Sequence, residues 1–128
     1  MATTAQYAAT VKSAQVQISS ANTLRTGSGT IGTLVIGATN GTRVDDIYIT
    51  ATGTTTAGVI RLFIANGAAL PQLWQEILVP AITPSTSVAA WTSSLLNQAL
   101  LLQSGWYLAA ATNNAETFNV IATRAGDF

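Results

Sequence analysis

Two pairs of charged side chains stand out in this sequence as candidates for chemistry. Asp45 and Asp46 are adjacent, while Arg61 and Glu76 each stand inside an apolar run. Neighbouring residues of a strand point to opposite faces, so the two aspartates are not expected to chelate one ion from one face. Calcium also needs more oxygen ligands than one such pair supplies. We therefore interpret the aspartate pair as structural, marking a strand entry or a charged sheet edge.

Arg61 and Glu76 lie on either side of a turn signal, Asn66-Gly67. If the two runs pair as a hairpin, the two charges face each other directly or diagonally. This spacing predicts a cross-strand ion pair, with contact to a neighbouring subunit as the functional alternative. General acid–base catalysis would need two titratable groups in a cleft with separated pKa values, and no pattern in the sequence indicates such a cleft.

The residue types on which many enzymes depend are missing from this chain. The sequence contains no histidine and no cysteine, so none of its serines and threonines has an imidazole to activate it. No phosphate-binding loop or dinucleotide fingerprint occurs. A small hydrolase is therefore disfavoured, and the sequence predicts a non-enzymatic protein with no metal site and no cofactor.

Three tryptophans, Trp74, Trp91 and Trp106, are the bulkiest side chains in the chain. They could form a flat platform for carbohydrate binding. Tryptophans in strands more often anchor a core or an interface. We therefore expect core or interface roles, and we keep carbohydrate binding as the alternative.

The chain is poor in charge. Only 8% of its residues are charged and the net charge is zero, against roughly 25% charged residues in an average soluble domain. The few basic residues are scattered, which argues against a nucleic-acid binder, and no apolar run approaches the roughly 20 residues that span a bilayer. A surface of neutral polar side chains can be buried against other subunits at little desolvation cost, so we expect a homo-oligomer.

Period-two alternation of apolar residues predicts an all-β chain. The stretch from Val44 to Asn66 holds two such runs, joined by the polar segment 52–58, and we interpret it as the central hairpin. Gly32 within its run suggests a bulge or a close backbone contact, and Pro80 ends another run. Because no helical pattern intervenes, eight or nine short strands should form a single antiparallel β-sandwich, jelly-roll-like, with a closed barrel as the alternative. The predicted strands cover residues 14–20, 30–36, 46–51, 59–64, 72–79, 88–91, 99–103, 105–112 and 117–123.

The first residues of the chain differ from the rest. Residues 1–13 are small and polar, with Tyr7 and Val11 as their sizeable apolar anchors. We predict that they form an arm outside the core that reaches a neighbouring subunit or lies across another protein, where an extended segment can add a strand to an exposed edge. The alternative is a frayed terminus with no partner. Residues 14–128 are predicted to form the β-sandwich domain.

Three segments carry a resemblance to a known group of proteins: residues 40–66, residues 73–91 (LWQEILVPAITPSTSVAAW) and residues 116–128 (ETFNVIATRAGDF). Together they resemble small virion structural proteins of tailed bacteriophages, and the resemblance extends from Gln15 onward. It rests on overall pattern and carries over no catalytic residues. It implies a β-sandwich present in many copies on a capsid or tail, and such proteins often decorate or cement the head shell as trimers.

The resemblance thus implies a capsid decoration protein on the virion surface, trimeric and bound to the major capsid protein. The alternative is a tail or head-fibre module that binds a receptor or a glycan. Binding to nucleic acid or membrane is not expected. The candidate interface residues are Tyr7, Val11, Arg61, Trp74, Glu76 and Trp91.

Overall fold

The computed structural model describes residues 8–128, and within that range every regular element is a β-strand. The strands are β1 (Thr10–Ile18), β2 (Gly32–Ile36), β3 (Thr42–Ala51), β4 (Gly58–Ala65), β5 (Gln72–Val79), β6 (Thr92–Leu95), β7 (Leu100–Leu102), β8 (Tyr107–Thr112) and β9 (Phe118–Asp127). No helix that could cross a membrane occurs among these residues.

The strands form two antiparallel sheets packed face to face. Sheet I has the order β1-β9-β3-β6, with β7 also paired to β3, and sheet II has the order β2-β8-β4-β5. Because β6 and β7 pair with successive parts of β3, they act as one interrupted strand. Counted in this way, the first strand pairs with the last, the second with the seventh, the third with the sixth and the fourth with the fifth. This is the strand order of a jelly roll, and the predicted jelly-roll β-sandwich is confirmed.

The core lies between the two sheets and follows from the period-two pattern. Ile47 and Ile49 of β3 belong to the same core cluster as Ile60 and Leu62 of β4, and all four side chains are fully buried. Alternate residues of each strand point inward, so each run of branched apolar residues contributes one face to the core. At one place the core is aromatic, where the rings of Trp91 and Phe118 meet edge to face at 5.9 Å.

The predicted central hairpin between β3 and β4 is wrong. β3 pairs with β9, β6 and β7, whereas β4 pairs with β5 and β8. The segment between them crosses from sheet I to sheet II and is tied to another loop. The buried Thr55 donates from its N–H to the carbonyl of Ile82 at 2.9 Å and from its hydroxyl to the carbonyl of Pro80 at 2.8 Å. Alternation identified both strands, but it carries no information about which strands pair.

Other boundaries also differ from the predicted ones. β1 begins at Thr10, so residues 10–12, assigned to the arm by sequence, pair with β9, while residues 1–7 lie outside the described part of the chain. The predicted strand over residues 88–91 is wrong, because Ser85 and Val88 close a turn through reciprocal backbone bonds and the strand starts at Thr92. The last strand continues through Asp127, since that residue pairs on both of its sides.

Two local predictions from single residues are confirmed. A Cβ on Gly32 would lie 2.8 Å from Cγ2 of Val16, and the pairing of β2 with β8 shifts register next to it, between Thr33 and Val35. β5 ends at Val79, immediately before Pro80, which lacks the N–H that a ladder needs.

The loop between β1 and β2 forms a third layer over the outer face of sheet II. Its Asn22 is buried and donates from its backbone N–H to the carbonyl of Thr112 at 2.8 Å. The amide nitrogen of Asn22 also donates to the carbonyls of Ser28 and Thr30, each at 2.9 Å, which holds the loop in a closed form. The outward-facing side chains of β4 and β8 are therefore buried as well: Arg61, Phe63, Ala109 and Ala111.

Candidate interaction surface

The β4–β5 hairpin brings together two of the predicted interface residues. Arg61 stands directly opposite Glu76 in the register, and its Nε lies 3.7 Å from a Glu76 carboxylate oxygen. The predicted cross-strand pair is therefore confirmed. The oxygen of the Asn66 side chain accepts hydrogen bonds from the N–H groups of Ala68 and Ala69 at 3.2 and 2.8 Å, which stabilises the connection beyond β4.

Arg61 and Glu76 sit in different environments. The Arg61 side chain is 3% exposed, whereas that of Glu76 is 29% exposed. The loop layer supplies Arg61 with a carbonyl, that of Asn22 at 3.0 Å, and Asn113 supplies an amide oxygen at 3.2 Å. Nε of Arg61 has no hydrogen-bond partner among the described residues. The arginine is thus a buried cation whose charge is balanced mainly from one side, by Glu76.

Glu76 also forms an ion pair with a second arginine, Arg25 of the loop layer. Nε of Arg25 donates to the Glu76 carboxylate at 2.6 Å. This hydrogen bond lowers the pKa of Glu76 below its usual value, against the opposing effect of desolvation, and the charges of Arg25 and Arg61 add to the lowering. The same bond raises the pKa of Arg25. One carboxylate therefore joins the loop layer to the edge of sheet II.

Exposed leucines surround this ion pair. On β5, Leu73, Glu76 and Leu78 are in register with alternate residues of β4, so they share the outer face of sheet II. Leu24 precedes Arg25 in the loop, and Leu70 lies just before β5. We call this surface the leucine edge and define it as the Arg25–Glu76 pair with four leucines, whose exposed fractions are 44% for Leu24, 58% for Leu70, 37% for Leu73 and 76% for Leu78.

The leucine edge is also an open sheet edge. Among the described residues β5 pairs with β4 alone, so the backbone groups on its other side are not part of any ladder. Natural sheets usually protect such an edge with lysine, proline or a covering segment. Within β5 the charged side chain is Glu76, and it is engaged by Arg25. Exposed apolar side chains beside an unpaired edge are typical of a protein–protein contact.

The remaining predicted interface residues are dispersed. Trp74 lies on β5, partly buried against the core, and Trp91 is buried within the core beside Phe118. Val11 is 86% exposed on β1, in the other sheet. Tyr7 lies outside the described residues. The structure therefore brings Arg61 and Glu76 together, places Trp74 on the same hairpin but packed against the core, and places Trp91 and Val11 elsewhere.

The three tryptophans do not form a common platform. Trp91 is buried, and both Trp74 and Trp106 pack partly against the core. Arg25 and the four leucines were missed by the sequence analysis. Leu24 and Arg25 stand in a loop that reads as an ordinary turn region, and contact with β5 arises only when that loop folds over sheet II.

The aspartate pair lies at an irregularity of sheet I, beside the register shift between β1 and β9. Contrary to the expectation of opposite faces, both carboxylates reach the guanidinium group of Arg124, at 3.8 Å for Asp45 and 3.4 Å for Asp46. Arg124 has a positive φ of 49°, and β9 changes register against β1 next to it. In both β3 and β9, the alternate residues that point inward before this point are replaced by the other set after it. This change brings the two carboxylates toward the same cation. Both aspartates are buried, which supports the structural interpretation.

No group of three or more acidic, histidine or cysteine side chains that could hold a metal ion occurs in the described range. Comparison of the sequence with protein-family models and with curated proteins finds no match.

Proposed function

We propose that this chain is a structural protein of a tailed-bacteriophage virion, a decoration protein that binds the outside of the head shell and stabilises it. The observation that supports this most is the leucine edge, an edge strand open on one side, with leucines exposed by 37% and 76% before and after the ion-paired Glu76. The resemblance of three segments to phage virion proteins and the jelly-roll order agree with this role. Fold alone does not determine it.

The chemistry of the surface favours assembly over catalysis. With no histidine and no cysteine, the chain lacks the side chains that most often act as general base or nucleophile. With 8% charged residues and zero net charge, little desolvation opposes burial of its surface. The expected partners are the major capsid protein and further copies of this chain, with a trimer as the expected oligomer.

The leucine edge has the properties of a contact site on such a shell. An added strand from a partner would satisfy the unpaired backbone groups of β5, and Leu73 and Leu78, which share one face of the sheet, would fill pockets of the partner on that face. The Arg25–Glu76 pair at the centre would fix the register of the partner strand, since charged groups at an interface act mainly on specificity.

Substitution of one leucine tests the proposal. Leu78→Glu places a charge at the most exposed position of the leucine edge, and we expect binding to shells that lack the protein to weaken about tenfold or more, as at an interface hot spot. The matched control is Leu101→Glu, because Leu101 is 65% exposed on β7 of sheet I. Co-sedimentation with purified particles measures both variants. Equal binding by Leu78→Glu and the unsubstituted protein would contradict the proposed contact.

The alternative is a tail or head-fibre module, and copy number separates the two. A decoration protein is present in many copies on each head, whereas a fibre module is present in few. Quantitative gel analysis of purified virions, with the major capsid protein as internal standard, decides between them.

A further inference from the structure

The outer face of sheet I carries a regular block of uncharged side chains. Two rows cross the sheet, each formed by residues in direct register on β1, β9, β3 and β6. We call this block the neutral face. Its first row is Gln15, Ile121, Tyr48 and Ser94, and its second row is Gln17, Asn119, Thr50 and Thr92.

The amides of the neutral face can form further hydrogen bonds. Nε2 of Gln17 donates to Oδ1 of Asn119 at 2.9 Å, which fixes how the two amides are oriented. The Gln17 carbonyl oxygen and the Asn119 amide N–H groups are left for other partners. Gln15 is exposed, and its side chain bonds to no other residue in the described range. The amides thus offer both donors and acceptors.

Apolar groups lie directly beside these amides. Ile121 and Tyr48 are opposite each other in the first row and are 36% and 42% exposed. A cavity of about 390 Å³ lies at the β1 side of the face, lined by the three amide residues together with Val16 and Ile121. Its volume falls within the range of small-ligand sites, roughly 300–1,000 Å³.

We propose that the neutral face binds an uncharged glycan. A sugar ring has an apolar side made of C–H groups, which fits Ile121 and the ring of Tyr48, and hydroxyl groups at its rim, which fit amides that donate and accept. No position of the face is charged, so an anionic sugar or a basic peptide would gain no ion pair there. This inference goes beyond the proposed function, and it concerns a different sheet from the leucine edge.

The size of the face also favours a small ligand over a protein. Four strands and two rows span about 15 Å by 7 Å between backbone positions. A stable protein–protein contact buries roughly 800 Å² on each partner, so a protein partner would need surface beyond this block. One or two sugar rings match the cavity and the neighbouring row.

The test is a titration of the ¹⁵N-labelled full chain, followed by NMR, with three neutral tetrasaccharides: maltotetraose, cellotetraose and chitotetraose. Tetragalacturonate serves as the charged comparison. We expect at least one neutral probe to shift the side-chain amide signals of Gln15, Gln17 and Asn119, and tetragalacturonate to bind more weakly. A double variant, Gln15→Ala with Gln17→Ala, should weaken that binding about tenfold or more, as expected from the loss of two hydrogen-bonding groups.

The control variant is Gln72→Ala, because Gln72 is exposed on β5 in sheet II. It should bind the sugar as the unsubstituted chain does, and thermal unfolding should show that both variants fold normally. The proposal is overturned if none of the neutral probes shifts the three amide signals at about 10 mM. It is equally overturned if the double variant binds the sugar normally, or if the sugar shifts signals outside the neutral face. If no sugar binds and the double variant loses particle binding, the proposal is overturned and the face is assigned to a protein partner.

Discussion

At the scale of single residues, the arrangement of charge around Glu76 is the main departure from an ordinary sandwich. Although the chain has few charged residues, three of them lie together at the β5 edge of sheet II: Arg25, Arg61 and Glu76. The Arg61 side chain is buried, and protein groups must balance its charge and accept its hydrogen bonds, whereas the Arg25 side chain is 60% exposed. The two arginines should therefore respond differently to substitution.

Removal of the buried arginine should destabilise the fold strongly. Arg61→Ala leaves the Asn22 carbonyl and the Asn113 amide oxygen without their donor and creates a gap under the loop layer. Breaking a buried ion pair typically costs roughly 3–5 kcal/mol, and we expect a value of about 3 kcal/mol because Glu76 itself remains partly solvated. Urea unfolding followed by tryptophan fluorescence measures it. Arg25→Ala is the control and should change stability far less; equal losses from both substitutions would contradict the asymmetry.

The lowered pKa of Glu76 makes part of the stability depend on pH. A carboxyl group whose pKa is lower in the folded state stabilises the protein above its unfolded pKa, and this contribution disappears as pH falls through the folded pKa. Glu76→Gln should therefore be less stable than the unsubstituted chain at neutral pH, and the difference should shrink as pH falls from about 5 through the lowered folded pKa of Glu76. Asp127, whose pKa the Thr42 hydroxyl and then Lys12 lower, titrates in both proteins and cancels in the comparison. A difference that stays constant over this range would contradict the shift.

At the scale of elements, the strands were largely predictable from sequence and their partners were not. The run QLWQEILV predicted β5 with both ends correct, because proline follows it and alternation runs through it. The pairing of β3 with β9 joins residues 67 to 85 positions apart in the chain, and no local pattern encodes that contact. The expected β3–β4 hairpin failed for this reason, since the nearest strand in sequence belongs to the opposite sheet.

The candidate surface was predictable only where its contacts are local in the chain. Arg61 and Glu76 could be matched because a local hairpin joins their strands. Arg25 could not be matched, because its contact with Glu76 needs the loop layer to fold back across sheet II. The shared contact of Asp45 and Asp46 with Arg124 could not be predicted either. It arises where a register shift in β9 changes which side chains face inward.

The loop layer depends on a glycine where it approaches β5. Gly27 has a φ of +88°, and a Cβ there would lie 2.0 Å from the carbonyl oxygen of Pro71. We expect Gly27→Ala to destabilise the protein by at least about 1–2 kcal/mol, from the left-handed backbone alone. Gly53→Ala is the matched control, because a Cβ there would meet no atom of the described residues within 4 Å beyond its chain neighbours, and it should be nearly neutral. Thermal unfolding compares them, and equal midpoints would show that the loop layer moves aside freely.

At the scale of the whole molecule, the two outer faces of the sandwich are different. Sheet II is covered by the loop layer and ends in the open, leucine-bearing strand β5. Sheet I exposes an uncharged block of amides and hydroxyls with Tyr48 and Ile121 at its centre. A decoration protein needs one surface for the shell and leaves the other toward the surroundings. We propose the leucine edge for the first role and the neutral face for the second.

The central claim is that the leucine edge attaches this chain to a head shell. A cryo-electron microscopy reconstruction of the virion tests it most directly. We predict density for the jelly roll on the outside of the head, in many copies, with β5 and Leu78 against a neighbouring chain. A head without such density, or copies in which β5 faces solvent throughout, would contradict the account.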